Sequence, residues 1–100
     1  MPVAIPDNPT TIPNSFTIPT VNLDRNWNVI LHNDDNVYAG IVLDALSEVM
    51  GYSETKCKEI MLEAHQNGRA SVVITTELAA KHYKEQLEGY GLTISIEKLN

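Results

Sequence analysis

The chain has 100 residues, enough for one small domain, and its 43% hydrophobic and 20% charged residues are ordinary for a globular protein. Seven Lys and Arg against thirteen Asp and Glu leave a formal net charge of −6. That balance argues against binding nucleic acid or anionic membrane, both of which need a basic face, and favours a positively charged ligand or partner.

All five prolines, Pro2, Pro6, Pro9, Pro13 and Pro19, precede residue 20. Each fixes φ, lacks an N–H and pushes its predecessor out of the helical region. Residues 1–25 therefore read as a flexible Pro/Thr-rich N-terminal extension, either a passive tail or an arm that a partner grips, and residues 26–100 as the folded domain. No apolar run approaches the ~20 residues of a membrane span, and no signal peptide is expected. Cys57 is the single cysteine, so no internal disulfide can form. A cytoplasmic protein is expected.

Trp27 to His32 reads as a strand with apolar residues on both faces: Trp27, Val29 and Leu31 on one, Ile30 on the other. Asn33-Asp34-Asp35-Asn36 breaks it. From Tyr38 to Met50, apolar residues at 38, 41, 42, 45, 46 and 49 predict one face of a helix, capped by Asp35 or Asn36 and stopped by Gly51. Ser53 caps a second predicted helix with a stripe of Cys57, Ile60, Met61, Ala64 and His65, ending at Gly68. Ala70–Thr75 is β-prone. Thr75 or Thr76 caps a third helix whose apolar side is Leu78, Ala79, His82, Tyr83 and Leu87, closed by Gly89 and Gly91. Leu92, Ile94 and Ile96 alternate with Thr93, Ser95 and Glu97, a half-buried strand with one polar face. The order β-α-α-β-α-β predicts an α+β fold, a small three-stranded, mainly antiparallel sheet covered by three helices.

The chemistry follows by elimination. His32, His65 and His82 lie far apart with no partner at ligand spacing, so no metal site is expected. Cys57 and His65 share a helical face but sit about 12 Å apart along its axis at about 1.5 Å per residue, beyond hydrogen-bond reach. No glycine-rich loop could cradle a phosphate. No catalytic residue or cofactor is expected, which leaves binding. Taken singly, Asn33-Asp34-Asp35 is an Asx-turn with a helix cap, and His65 a core histidine with one satisfied hydrogen bond. Taken together, they are acceptors with net negative charge that suit a primary ammonium such as a peptide's free N-terminus. Val42, Met61 and Leu92 offer apolar walls beside them. Amine capture next to a hydrophobic pocket is an established mode of peptide recognition.

Two segments carry a resemblance. Asn28-Val29-Ile30-Leu31-His32-Asn33-Asp34-Asp35 and Ile60-Met61-Leu62-Glu63-Ala64-His65-Gln66-Asn67-Gly68-Arg69-Ala70, with the terminal Ile96-Glu97-Lys98, resemble the ClpS adaptors of the ATP-dependent Clp protease. The likeness runs from Trp27 to Lys98. It implies a non-enzymatic adaptor that binds proteins with a bulky apolar or aromatic first residue, an N-degron, and delivers them to a Clp AAA+ unfoldase of the ClpA or ClpC type. By the same resemblance, Asn33, Asp34 and His65 hold the α-amine, while Val42, Met61 and Leu92 line the pocket for the first side chain. Glu77 lies on the face that docks on the unfoldase, and the N-terminal extension is engaged by it. Two positions depart from the family pattern: Val37 stands where a Thr is usual and Ala39 where a pocket-gating Met is common. Both border the expected pocket and suggest an altered first-residue range. A scaffold domain that binds a protein surface without requiring a free N-terminus is the alternative reading.

Overall fold

Residues 24–99 are described by a computed structural model, so the expected N-terminal arm lies, apart from residues 24 and 25, outside the described residues. The three β-prone runs form strands β1 (Trp27–His32), β2 (Arg69–Thr75) and β3 (Ile94–Lys98). The periodic segments form helices α1 (Ala39–Met50), α2 (Glu54–Asn67) and α3 (Glu77–Glu88). The strand with apolar residues on both faces is the central one: the sheet order is β2-β1-β3, and both pairings are antiparallel. The helices cover one face, α2 against β2 and α3 against β3 and β1, while α1 packs on α2 and α3. This is the expected α+β arrangement.

Val29 and Leu31 of β1 enter the core with Leu46, Cys57, Ile60, Val72, Leu87 and Ile94. A fully buried Leu such as Leu46 or Leu87 contributes roughly 1.5–3 kcal/mol through its removal from water. Ile30 is also buried, on the other face, paired across the sheet with Ser71 and Ser95. The β1–β2 register slips between Val29, opposite Val73, and Ile30, opposite Ser71. The extra residue, Val72, is a bulge. It lets both Val72 and Val73 pack on the core, and the Val72 carbonyl accepts from Tyr52 Oη at 2.8 Å.

Several helix boundaries follow local chemistry. Ser53 Oγ accepts from Lys56 N and Thr76 Oγ1 from Ala79 N, both at 3.2 Å, so Thr76 rather than Thr75 caps α3. Gly51 and Gly68 end α1 and α2 with φ of 71° and 87°, a region costly for any residue with a Cβ.

Other boundaries differ from expectation. Neither Asp35 nor Asn36 caps α1. Its N-cap is Tyr38, with no side-chain cap bond. Tyr38 and Ile41, placed on the apolar stripe of α1, are exposed, Tyr38 at 80%. In α3, Leu78 and His82 also face outward, and the buried side is Ala80 and Leu87 with half-buried Tyr83. In both helices the apolar residues span more of the circumference than the core can cover. Contact with neighbouring elements, not periodicity, chooses which of them are buried.

Candidate ligand-binding site

Where β1 ends, its two neighbours hold the outgoing chain. His32 N donates to Thr93 O at 2.9 Å, and Asn33 N donates to Gly68 O at 3.0 Å. The loop after β1 therefore emerges between the residue preceding β3 and the C-cap of α2. These two backbone bonds bring together segments about 35 and 60 residues apart in sequence. A cavity of about 290 Å³ opens there. That is near the lower limit of small-ligand pockets, about 300 Å³.

One end of the cavity is made of acceptors. Asp34 folds back in an Asx-turn: its Oδ1 accepts from Asn36 N at 2.9 Å, and its backbone carbonyl accepts from Val37 N at 3.1 Å. Its other carboxylate oxygen, Oδ2, accepts from Thr93 Oγ1 at 2.9 Å. The backbone N–H of Asn36, followed by the Thr93 hydroxyl, holds the Asp34 carboxyl below its ordinary pKa, because both donate to the ionised form. Asn33 Nδ2 donates to Asp35 Oδ1 at 3.4 Å, and its amide oxygen is an acceptor at the same cavity. His65, in the last turn of α2, borders the cavity and is exposed, so it is not a core histidine. The C-terminal end of α2 adds partial negative charge near the same place.

The other end is apolar. Val37, Ala39, Val42, Met61, Leu62 and Leu92 line it. Val42 and Leu92 are buried and Met61 is half-buried, so these walls belong to the core. Ala39 is exposed at the first turn of α1.

The structure thus brings Asn33, Asp34, His65, Val37, Ala39, Val42, Met61 and Leu92 to one cavity. Glu77 lies apart from it, at the start of α3, in an ion pair with Lys81 at 3.1 Å. Sequence reasoning missed Thr93, because alternation assigns it to the polar, solvent side of the last strand. Its place directly after Leu92 was the available signal. It missed Leu62 as well, an apolar residue just off the buried stripe of α2 and 49% exposed at the cavity.

Residues 22–95 match the family model of the ATP-dependent Clp protease adaptor protein ClpS. The ClpS adapter of Synechococcus elongatus is 38% identical over 72 residues, covering 71% of this chain and 76% of that protein. The ClpS adapter of Prochlorococcus marinus is 38% identical over 78 residues, 77% of this chain and 74% of its own. Among solved structures, Agrobacterium tumefaciens ClpS2 bound to L-phenylalaninamide superposes with a TM-score of 0.71 at 26% identity, covering 75% of this chain and 99% of that one.

Proposed function

Because the chain belongs to the ClpS family of adaptors of the ATP-dependent Clp protease, we propose that it captures proteins by their free N-terminus and hands them to a Clp AAA+ unfoldase. The observation that carries this reading is the two-ended cavity, acceptors at one end and core-backed apolar walls at the other. Asn33 Oδ1, the Asp34 carboxylate and a neutral His65 nitrogen accept from the three protons of an α-ammonium. The α-amino group of a peptide has a reference pKa of ~7.7–8.0 and is largely cationic at neutral pH. Val37, Ala39, Val42, Met61 and Leu92 receive a bulky apolar first side chain. The ligand held by the Agrobacterium relative, phenylalaninamide, has both parts: a free amine and an apolar side chain.

Ala39 leaves the opening wide on the side of α1, so the range of first residues includes shapes that a longer side chain at that position would exclude. Glu77 and the exposed Leu78 beside it form part of the surface that docks on the unfoldase, and residues 1–25 are the segment the unfoldase engages. The reaction chemistry belongs to the protease, and this chain is an adaptor without a catalytic role. Among the described residues no helix is long and apolar enough to cross a membrane. A reducing compartment such as the cytoplasm suits its lone buried thiol.

Fluorescence anisotropy with a labelled peptide beginning in Leu tests the reading against the same peptide acetylated at its N-terminus. Acetylation removes the charge and two donors while leaving the acceptors in place. The expected loss is about 100-fold or more. Equal binding of the two peptides would refute amine capture and leave a surface scaffold.

A further inference from the structure

Asp34 can serve an ammonium only if its carboxylate is ionised and aimed, and an Asp at the start of a loop has two side-chain torsions free to turn it away. Here one oxygen is held by the loop itself, through Asn36 N at 2.9 Å. The other is held from outside the loop, by Thr93 Oγ1 at 2.9 Å. Thr93 is itself fixed at both flanks. Its carbonyl accepts from His32 N, and it stands between buried Leu92 and buried Ile94, the first residue of β3. Ile94 in turn pairs with Leu31. Successive side chains therefore serve the two ends of the cavity: Leu92 is an apolar wall, and Thr93 grips the acceptor.

We propose that Thr93 is a positioning residue of the binding site, one that locks the Asp34 carboxylate in the orientation that receives a cationic amine and ties that orientation to the segment, leading into β3, that carries Leu92. The inference rests on the amine-capture reading for its ligand, although the contact itself does not. A carboxylate has about four lone-pair sites, so two filled by Asn36 and Thr93 leave room for a ligand's N–H groups. Preset geometry removes the ordering cost that a free carboxylate would meet on binding. The titratable groups that line the cavity together with Asp34 are Asp35 in its own loop, His32 from β1 and His65 from α2. The segment leading into β3 brings only the Thr93 hydroxyl, so replacing it changes no neighbouring charge.

The test compares Thr93→Val, which keeps the shape and loses the hydroxyl, with Thr93→Ser, which keeps the hydroxyl. Both are measured against wild type with peptides beginning in Leu or Ala, and by ¹³C NMR titration of the Asp34 side-chain carboxyl in the free protein. Thr93→Val is expected to weaken the Leu peptide about 3- to 10-fold and to move the Asp34 midpoint upward. Thr93→Ser is expected to restore both. The preference for Leu over Ala should persist, because the apolar walls are intact. An unmoved Asp34 midpoint in Thr93→Val overturns the proposal. So does wild-type affinity in Thr93→Val, or an equal loss of affinity in Thr93→Ser. If wild type binds acetylated and free peptides alike, amine capture fails separately. The Asp34 midpoint still decides whether Thr93 orients the carboxylate.

Discussion

The two ends of the cavity are built in opposite ways. The apolar end is partly core that faces the cavity: Val42 and Leu92 are buried and part of one cluster with Leu46 and Ile94. The shape of that part is held by close packing, while exposed Ala39 and Leu62 stand at its edge. The acceptor end is a loop with exposed Asn33, Asp35 and Asn36, held by a few directed hydrogen bonds to backbone and to Thr93. Packing supplies shape and hydrogen bonds supply orientation. The proposed capture of N-termini needs both, because the amine would be common to all ligands and the side chain would not. On that proposal the acceptor end decides whether an N-terminus is bound, and the apolar end decides which one.

The largest test of that division is Asp34→Asn, which keeps the size of the side chain and removes the charge. Binding of every amine-bearing peptide should fall about 10- to 100-fold, with the ratio of Leu to Phe first residues unchanged. A change in that ratio, measured by peptide anisotropy, would show that the two ends are not separable.

His65→Ala removes a further acceptor from the same end and should weaken every amine-bearing peptide about 10-fold, read by the same anisotropy measurement. Acidification should act on this end through Asp34. Its folded-state pKa is depressed by Asn36 N–H and the Thr93 hydroxyl, so the stability it contributes is present above the ordinary carboxylate range and is lost as pH falls through its folded value. Urea midpoints measured down the acid limb should fall less steeply in Asp34→Asn than in wild type.

Ala39→Met addresses the other end. It narrows the opening, and peptides beginning in Ile or Val should lose about 5-fold relative to Leu. An unchanged profile would mean that the wall at Ala39 does not set the range. The smallest expected effect is at Tyr38, the N-cap of α1 that makes no side-chain cap bond. Tyr38→Ser should add about 0.5–1 kcal/mol of stability, read as a higher urea midpoint, since the exposed ring contributes little packing. A neutral result would mean that the first-turn N–H groups of α1 are adequately served without a side-chain acceptor.

That missing cap explains one failure of local reasoning. Asp35 and Asn36 have the right chemistry to cap a helix. The Asx-turn of Asp34 instead carries the chain through both, and α1 begins only at Ala39, with Tyr38 as its N-cap. Asp35 lines the cavity, the Asn36 N–H is taken up by Asp34, and the helix does without a side-chain cap. The same kind of conflict appears in α1 and α3, where Ile41, Leu78 and His82 fit the helical period but face solvent. Ser53, Thr76, Gly51 and Gly68 met no competing demand, and each behaves as its own chemistry predicts.

From the sequence alone came the strand and helix order, the central place of Trp27–His32, most of the stops, the family resemblance, and the acceptor character of Asn33, Asp34 and His65. These depend on residue type and on spacing within a few positions, where backbone geometry is nearly fixed. The tertiary structure alone decided that Asn33 meets the C-cap of α2, that Thr93 reaches Asp34, and which apolar residues of α1 and α3 are buried. Those outcomes depend on strand register and on how helices rotate against the sheet. Both are set by the sum of many contacts between residues distant in the chain, and no local pattern encodes that sum.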